Sequence, residues 1–222
     1  MMTARRFSIP PMVLVAAVLG GCASSAPQYY SLQAADSTQS PAATTVDSSY
    51  AINVQPVVIP QQVARPQIVV RASPSAEVVP LNSALWAGPL EAQIRNAFTE
   101  ELAHRLNVLD VGRSGAADAL PVWRIYIDVQ RFDSFYDAEV QQELVWRMVP
   151  QGMSRGVKER LCSAQVRLPV GTGMAALVEG HRQALAALAA VMAQTLPGPK
   201  SASPGIAAIR GTDSVVLKGC VG

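Results

Sequence analysis

A chain of 222 residues with 18 lysines and arginines against 16 aspartates and glutamates has no basic excess with which to hold a nucleic-acid backbone. Half of its residues are hydrophobic, enough for one real core, and a single domain of about 150 residues is the default for this length. Beyond the N-terminus no apolar run reaches membrane-spanning length, so the body is expected to be soluble.

Residues 1–21 read as a secretory signal. Arg5 and Arg6 form a positive n-region, and Met12 to Leu19 form an apolar h-region too short to span a bilayer. Leu19-Gly20-Gly21-Cys22 then reads as a lipobox, with cleavage before Cys22 and acylation, palmitate included, on that residue. The alternative is an ordinary signal peptide with a chance cysteine. Small residues are common at cleavage sites and cysteine is not, which favours the lipobox. Three acyl chains would anchor the chain permanently, since one chain is only marginal. Removal of the signal takes away two arginines and no acid, so charges balance and the membrane link is lipid rather than electrostatic. Ala23 and Ser24, with no Asp after the cysteine, resemble the sorting pattern of outer-membrane lipoproteins.

Residues 22–49 are expected to hold the lipidated N-terminus, a short strand at Tyr29 to Leu32, and a Ser/Thr/Ala-rich linker from Gln33 to Ser49. The six residues Ala23 to Gln28 reach at most about 21 Å, which keeps the first strand near the lipid.

A single α+β domain is expected over residues 50–196. Tyr50 to Val58, Gln67 to Arg71 and Glu77 to Leu81 read as strands punctuated by prolines, and the edges of those between Tyr50 and Arg71 are candidates for partner or self-association. Gly88-Pro89 opens a helix that ends near Asn107, its stripe formed by Leu90, Ile94, Ala97, Phe98, Leu102 and Leu106. Trp86 just upstream reads as a core plug, and Val108 to Val111 as the start of a strand. The clearest β signal is the alternation of Trp123, Ile125, Ile127 and Val129 with polar residues, before a turn region beginning at Asp133-Ser134. Val140, Gln142, Leu144, Trp146 and Met148 share the inner face of the next strand, and Cys162, Ala164, Val166 and Leu168 that of a third. Together they predict an antiparallel meander with one buried face. A second long helix runs from Gly173 to Leu196, with Thr172 as its cap and Pro197 as its stop. Residues 197–222 form a tail with a candidate last strand ending near Cys220. The fold class is α+β: a two-layer sandwich, a mostly antiparallel sheet with two long amphipathic helices packed on one face.

The sequence carries no catalytic set and no metal set. Gly171-Thr172-Gly173-Met174-Ala175-Ala176 matches a dinucleotide fingerprint but lacks the following strand and the ribose-binding acid. Gly112-Arg113-Ser114-Gly115 is not a nucleophile elbow. His104 and His181, the only histidines, lie on the two helices without a second ligand at metal spacing. Asp128, Asp133, Asp137 and Glu139 form a loose acidic group, the basis of an alternative reading as a periplasmic hydrolase using Asp133, Asp137 or Glu139. A small-lipid carrier with a groove between helices and sheet is a third reading. No cofactor is expected. With Cys22 acylated, Cys162 and Cys220 are left; in an oxidising compartment an even number favours a disulfide over two separate thiols.

Tyr29-Tyr30-x-Leu32 soon after a lipobox, and Ala84-Leu85-Trp86-Ala87-Gly88-Pro89-Leu90 leading into Gln93-Ile94-Arg95-Asn96, resemble the PqiC/YmbA-like ABC-type transport auxiliary lipoproteins. So does Ile125 to Arg131 followed by Phe132-Asp133-Ser134-Phe135-Tyr136-Asp137. Tyr29, Tyr30, Leu32, Leu85, Trp86, Pro89 and Leu90 carry the motif, and the likeness runs from about residue 22 to about 196. The tail with Cys220 has no counterpart in the pattern. The resemblance implies a non-enzymatic envelope component at the periplasmic face of the outer membrane. It would work with an inner-membrane protein and an MCE-domain protein that bridges the periplasm and carries lipids, and would dock that bridge at the outer membrane. Self-association is a further partner option.

Overall fold

The computed structural model describes residues 26–33, 49–71, 77–112, 120–196 and 215–222. In chain order the elements are β1 (Gln28–Tyr30), β2 (Ala51–Val54), β3 (Gln67–Arg71), β4 (Val78–Trp86), α1 (Leu90–Leu106), β5 (Val122–Phe135), β6 (Glu139–Gln151), β7 (Arg160–Pro169), α2 (Met174–Thr195) and β8 (Val215–Val221). Eight strands form one open sheet in the order β1-β4-β3-β5-β6-β7-β8, with β2 also paired to β5. The class is α+β, as the two periodicities predict. Alternating residues of β5, β6 and β7 bury Trp123, Ile125, Ile127, Leu144, Trp146, Met148, Ala164 and Val166. The stripes of α1 (Ile94, Phe98, Leu102) and α2 (Leu177, Leu185, Leu188, Met192) close over that face in the same core.

The β5–β6–β7 meander is antiparallel, as expected, but the turn after β5 comes later than Asp133-Ser134. The register shifts between Val129 and Arg131. This extra residue changes the phase of the alternation, so Phe132 and Ser134 point inward and the strand runs on to Phe135. The reversal then falls at Tyr136–Ala138, where Asp137 takes a left-handed conformation with φ of 54°.

Other elements depart from the pattern reading because long-range pairing overrides local signals. β4 extends to Trp86, since β1 and β3 flank its last residues. Val108–Val111 makes no strand; it runs parallel to β2 and bridges it at Ile52, whose N–H donates to Leu109 O at 2.9 Å and whose carbonyl accepts from Val111. The edges expected to be free between Tyr50 and Arg71 have neighbours: β3 lies between β4 and β5, meeting β5 at Arg71, and β2 lies between β5 and that parallel segment, meeting it at Ile52. Three of the pairings, β1–β4, β2–β5 and β3–β5, are parallel. The folded unit also reaches beyond residues 50–196, because β1 and β8 are strands of the same sheet.

β8 lies along β7, and Cys162 and Cys220, directly opposed in that ladder, are joined by a disulfide with Cα atoms 4.1 Å apart. The bridge closes a loop of 58 residues, for which the chain-entropy model gives about 4 kcal/mol. Gly180 on α2 marks where the helix comes closest to the end of the sheet: a Cβ there would lie 2.3 Å from Val170 Cγ1.

Two substitutions test these contacts. Cys220→Ser should lower the unfolding free energy by about 2–4 kcal/mol in urea titrations, and dithiothreitol should erase most of the difference from wild type. Gly180→Ala should cost about 1–3 kcal/mol through overpacking, offset by about 1 kcal/mol from the better helix propensity of alanine, for a net loss of up to about 2 kcal/mol. A urea midpoint raised as propensity alone would raise it would contradict the close contact.

Candidate functional site

Two groups of residues stand out: a clamp around the start of α1, and a buried polar cluster beneath α2. The clamp is built from the Tyr-Tyr-x-Leu and Leu-Trp-x-x-Pro-Leu segments. Ala87 N–H donates to Tyr30 O at 2.8 Å and Trp86 N–H to Pro66 O at 2.7 Å, so the end of β4 is held on both sides. Pro89 has a φ of −53° and no N–H to leave unpaired at the helix start. Leu32 and Leu90 are buried with Trp86, whereas Tyr29 is exposed and Leu85 half-buried. Gln93, itself buried, completes the clamp: its Oε1 accepts from Leu32 N–H at 2.9 Å and its Nε2 donates to Gly88 O at 2.9 Å. Arg95 Nε donates to Val54 O at 2.8 Å and ties α1 to β2. One side chain, Gln93, therefore links the N-terminal strand to the helix entry. Beside the clamp a cleft of about 330 Å³ is lined by Arg65, Pro66, Trp86, Pro89, Leu90 and Glu91 among others.

His181 is fully buried, stacked on Phe132 at 4.1 Å between ring centroids, with Trp86 edge-on to both rings. Its Nε2 lies 2.8 Å from Ser134 Oγ, a spacing that would suit a nucleophile and its base. The hydrogen-bond network assigns the opposite polarity. Gln142 Nε2 lies 3.0 Å from His181 Nδ1 and 3.1 Å from His181 O, and the carbonyl can only accept. The amide NH₂ therefore faces both, Nδ1 accepts, and the proton sits on Nε2, donating to Ser134 Oγ. Imidazole so protonated takes no proton from the serine, and Ser134 is itself buried. Desolvation lowers the His181 pKa from 6.5 to about 3, which keeps the ring neutral.

Asp133, Asp137 and Glu139 lie together at one end of the sheet, but each is held in a bond of its own. Asp133 is buried against Arg71 at 2.7 Å and Arg131 at 3.5 Å. Asp137 Oδ1 accepts from Gly173 N–H at 2.7 Å and supplies the α2 cap that Thr172 does not. Glu139 accepts from the amide of Gln141, and Asp128 is exposed on β5. Each of the three candidate catalytic carboxylates thus holds a structural bond, and the cleft lies at none of them. Among the described residues no three His, Cys, Asp or Glu side chains stand where they could hold a metal ion, and no helix is long and apolar enough to cross a membrane. His104 is exposed on α1. The interface between helices and sheet, the expected place of a carrier groove, is filled by Phe98, Leu144, Trp146 and Leu188. The lipobox, Leu19 to Cys22, lies outside the described residues.

The family model of the ABC-type transport auxiliary lipoprotein component matches residues 30–193. The chain belongs to this family. The match takes in the clamp from Tyr30 onward, the meander and nearly all of α2; Tyr29, Cys22 and β8 lie outside it. As an auxiliary lipoprotein, it is a membrane-anchored, transport-associated protein. Its fold is similar to that of a crystal structure of an uncharacterized protein, with a TM-score of 0.55 at 22% identity over 76% of this chain and 97% of the other. It is also similar to a crystal structure from Xanthomonas campestris, with a TM-score of 0.50 at 23% identity over 68% of this chain and 86% of the other. No curated protein matches the chain.

The partnerships of Gln93, Arg95, Ser134 and Gln142 are not apparent from the sequence. For Gln142 a signal exists: a glutamine among Val140, Leu144 and Trp146 on an inward face needs a buried partner.

The neutral His181 sets a pH dependence for the auxiliary lipoprotein. The unfolded chain takes up a proton near pH 6.5 while the folded chain does so only near pH 3, so stability is complete above 6.5 and falls with pH through that window. At pH 5 the expected loss relative to neutral pH is about 2 kcal/mol. Urea unfolding should show this slope between pH 6.5 and 5 in wild type and not in His181→Gln; equal slopes would mean that the folded ring titrates normally.

Proposed function

We propose that this chain is an outer-membrane-anchored, non-enzymatic auxiliary component of an MCE-type intermembrane lipid transport system. In this reading Cys22 carries the acyl chains, and the body seats the periplasm-spanning MCE protein, which in turn works with an inner-membrane partner. The observation that supports it is the clamp. Strand β1 begins six residues after Cys22 and is bonded into the sheet, and Leu32 just after it is bonded to Gln93, so the anchor lies close in sequence to the folded body. A short connection suits a docking element, which must stay close to the membrane while it holds its partner. The structural bonds of Asp133, Asp137 and Glu139 argue in the same direction.

The cleft beside the clamp is the docking surface of choice. Trp86, Pro66 and Leu90 give it an apolar floor, and Arg65 and Glu91 bring charges of both signs to its rim, the anatomy of a partner site. Its 330 Å³ volume is at the lower end of the ~300–1,000 Å³ of small-molecule pockets, which disfavours a carrier of a two-chain lipid.

Crosslinking in intact cells, then mild detergent extraction, should recover an MCE-domain protein and its inner-membrane partner with the tagged chain. Arg65→Glu should reduce that recovery several-fold without lowering the level of the lipoprotein. Cys22→Ser should move the protein from the outer-membrane fraction to the soluble periplasm and abolish the envelope phenotype. Wild-type envelope permeability in a deletion strain would count against the transport role.

A further inference from the structure

We propose that the end of the sheet carrying Val78, Val79 and Tyr136 rests on the lipid surface, so that the body meets the membrane in one fixed orientation. This rests on the acylation of Cys22. Strand direction and the length of the tether set this orientation. β1 is parallel to β4, with Gln28 opposite Ala84. Traced backwards from Gln28, the chain therefore heads toward the residues at which β4 begins. Val78 precedes Ala84 by six residues, about 20 Å of strand. Cys22 precedes Gln28 by six residues, at most about 21 Å of chain. A tether that continues the line of β1 is thus just long enough to bring the acylated cysteine level with the start of β4.

The register carries this level across the sheet. Val78 is paired with Arg71, Arg71 with Phe135, Phe135 with Glu139, and Glu139 with Pro169. The row defines one end of the molecule, with the β5–β6 turn just beyond it. Exposed apolar groups are found there: Val78 and Val79 at 38% and 39%, and Tyr136 at 46% on the turn. A tyrosine with an apolar ring and a polar tip suits the headgroup level. Three acids of this end hold internal bonds, Asp133 to Arg71 and Arg131, Asp137 to the Gly173 amide, and Glu139 to Gln141, while Glu77 is exposed beside Val78. Leu109 and Val221 are also exposed but lie away from it. Leu109 adjoins Ile52, which is paired with Trp123, twelve residues back along β5 or about 40 Å. Val221 is opposite Leu161, eight residues back from Pro169 on β7 or about 27 Å. The cleft at Trp86 is likewise remote, at the other end of β4, and so faces the periplasm.

The test places a benzophenone amino acid at position 79, 136, 109 or 221 of the processed chain. With Cys162 and Cys220 bridged, Cys22 is the one free thiol, and it can be coupled to maleimide-phosphatidylethanolamine in vesicles of phosphatidylethanolamine and phosphatidylglycerol. After irradiation, positions 79 and 136 should yield several-fold more lipid adduct than 109 and 221. Equal adducts at all four positions, or more at 109 or 221, would overturn the orientation. Because vesicle coupling supplies the anchor, this result does not depend on acylation in cells. Mass spectrometry of the Cys22 peptide from membranes tests that step separately; an unmodified Cys22 would overturn the anchoring reading, and with it the contact in cells.

Discussion

The structure depends most on the single extra residue in β5. Before it, β5 presents Ile125, Ile127 and Val129 to the helices, and takes β2 and the segment up to Val58 on its free side. After it, Phe132 and Ser134 take over the inner face and β3 takes over the edge. A bulge turns the alternation by one position and tightens the local twist. The same shift turns Asp133 away from the core face to meet Arg71, and sets Phe132 against His181. The sheet's two halves, the β1–β4–β3 half and the meander, are joined at this place.

The polar groups buried around it are there to hold elements together. Gln93 joins Leu32, just after β1, to the entry of α1, Gln142 joins β6 to α2, and Asp137 joins the β5–β6 turn to the start of α2. A buried amide or imidazole without partners would be costly, so each such residue restricts its two elements to one relative position. Serine and histidine at hydrogen-bond distance resemble half of a catalytic set, but direction of donation and burial assign them to the same structural work. For a lipoprotein whose proposed task is to hold a position between membrane and partner, rigidity is the useful property.

Much of this is legible in the chain. Period-two alternation locates β5, β6 and β7, and apolar spacing with Pro89 and Pro197 bounds both helices. The motif segments are recognisable, but Gln93 and Arg95 read only as members of a helix. Their partners, Leu32, Gly88 and Val54, lie on other elements, and a side chain's bond across 61 residues leaves no periodic trace. The late turn after β5 is hidden for a related reason: Asp133-Ser134 is a turn-like pair locally, and pairing with Gln141 and Val140 overrides that preference.

The amino-acid sequence by itself determined the α+β class, the meander and the family, because these rest on local composition, short periods and contiguous motifs. Only the tertiary structure decided the parallel pairings, the neighbours of the Tyr50 to Arg71 strands, the bonds that hold the acids and the polarity of the Ser134–His181 pair. Each of these depends on which distant backbone or side-chain group completes a hydrogen bond. That choice is made by the burial of one shared apolar face, a property of the whole chain and of no segment within it.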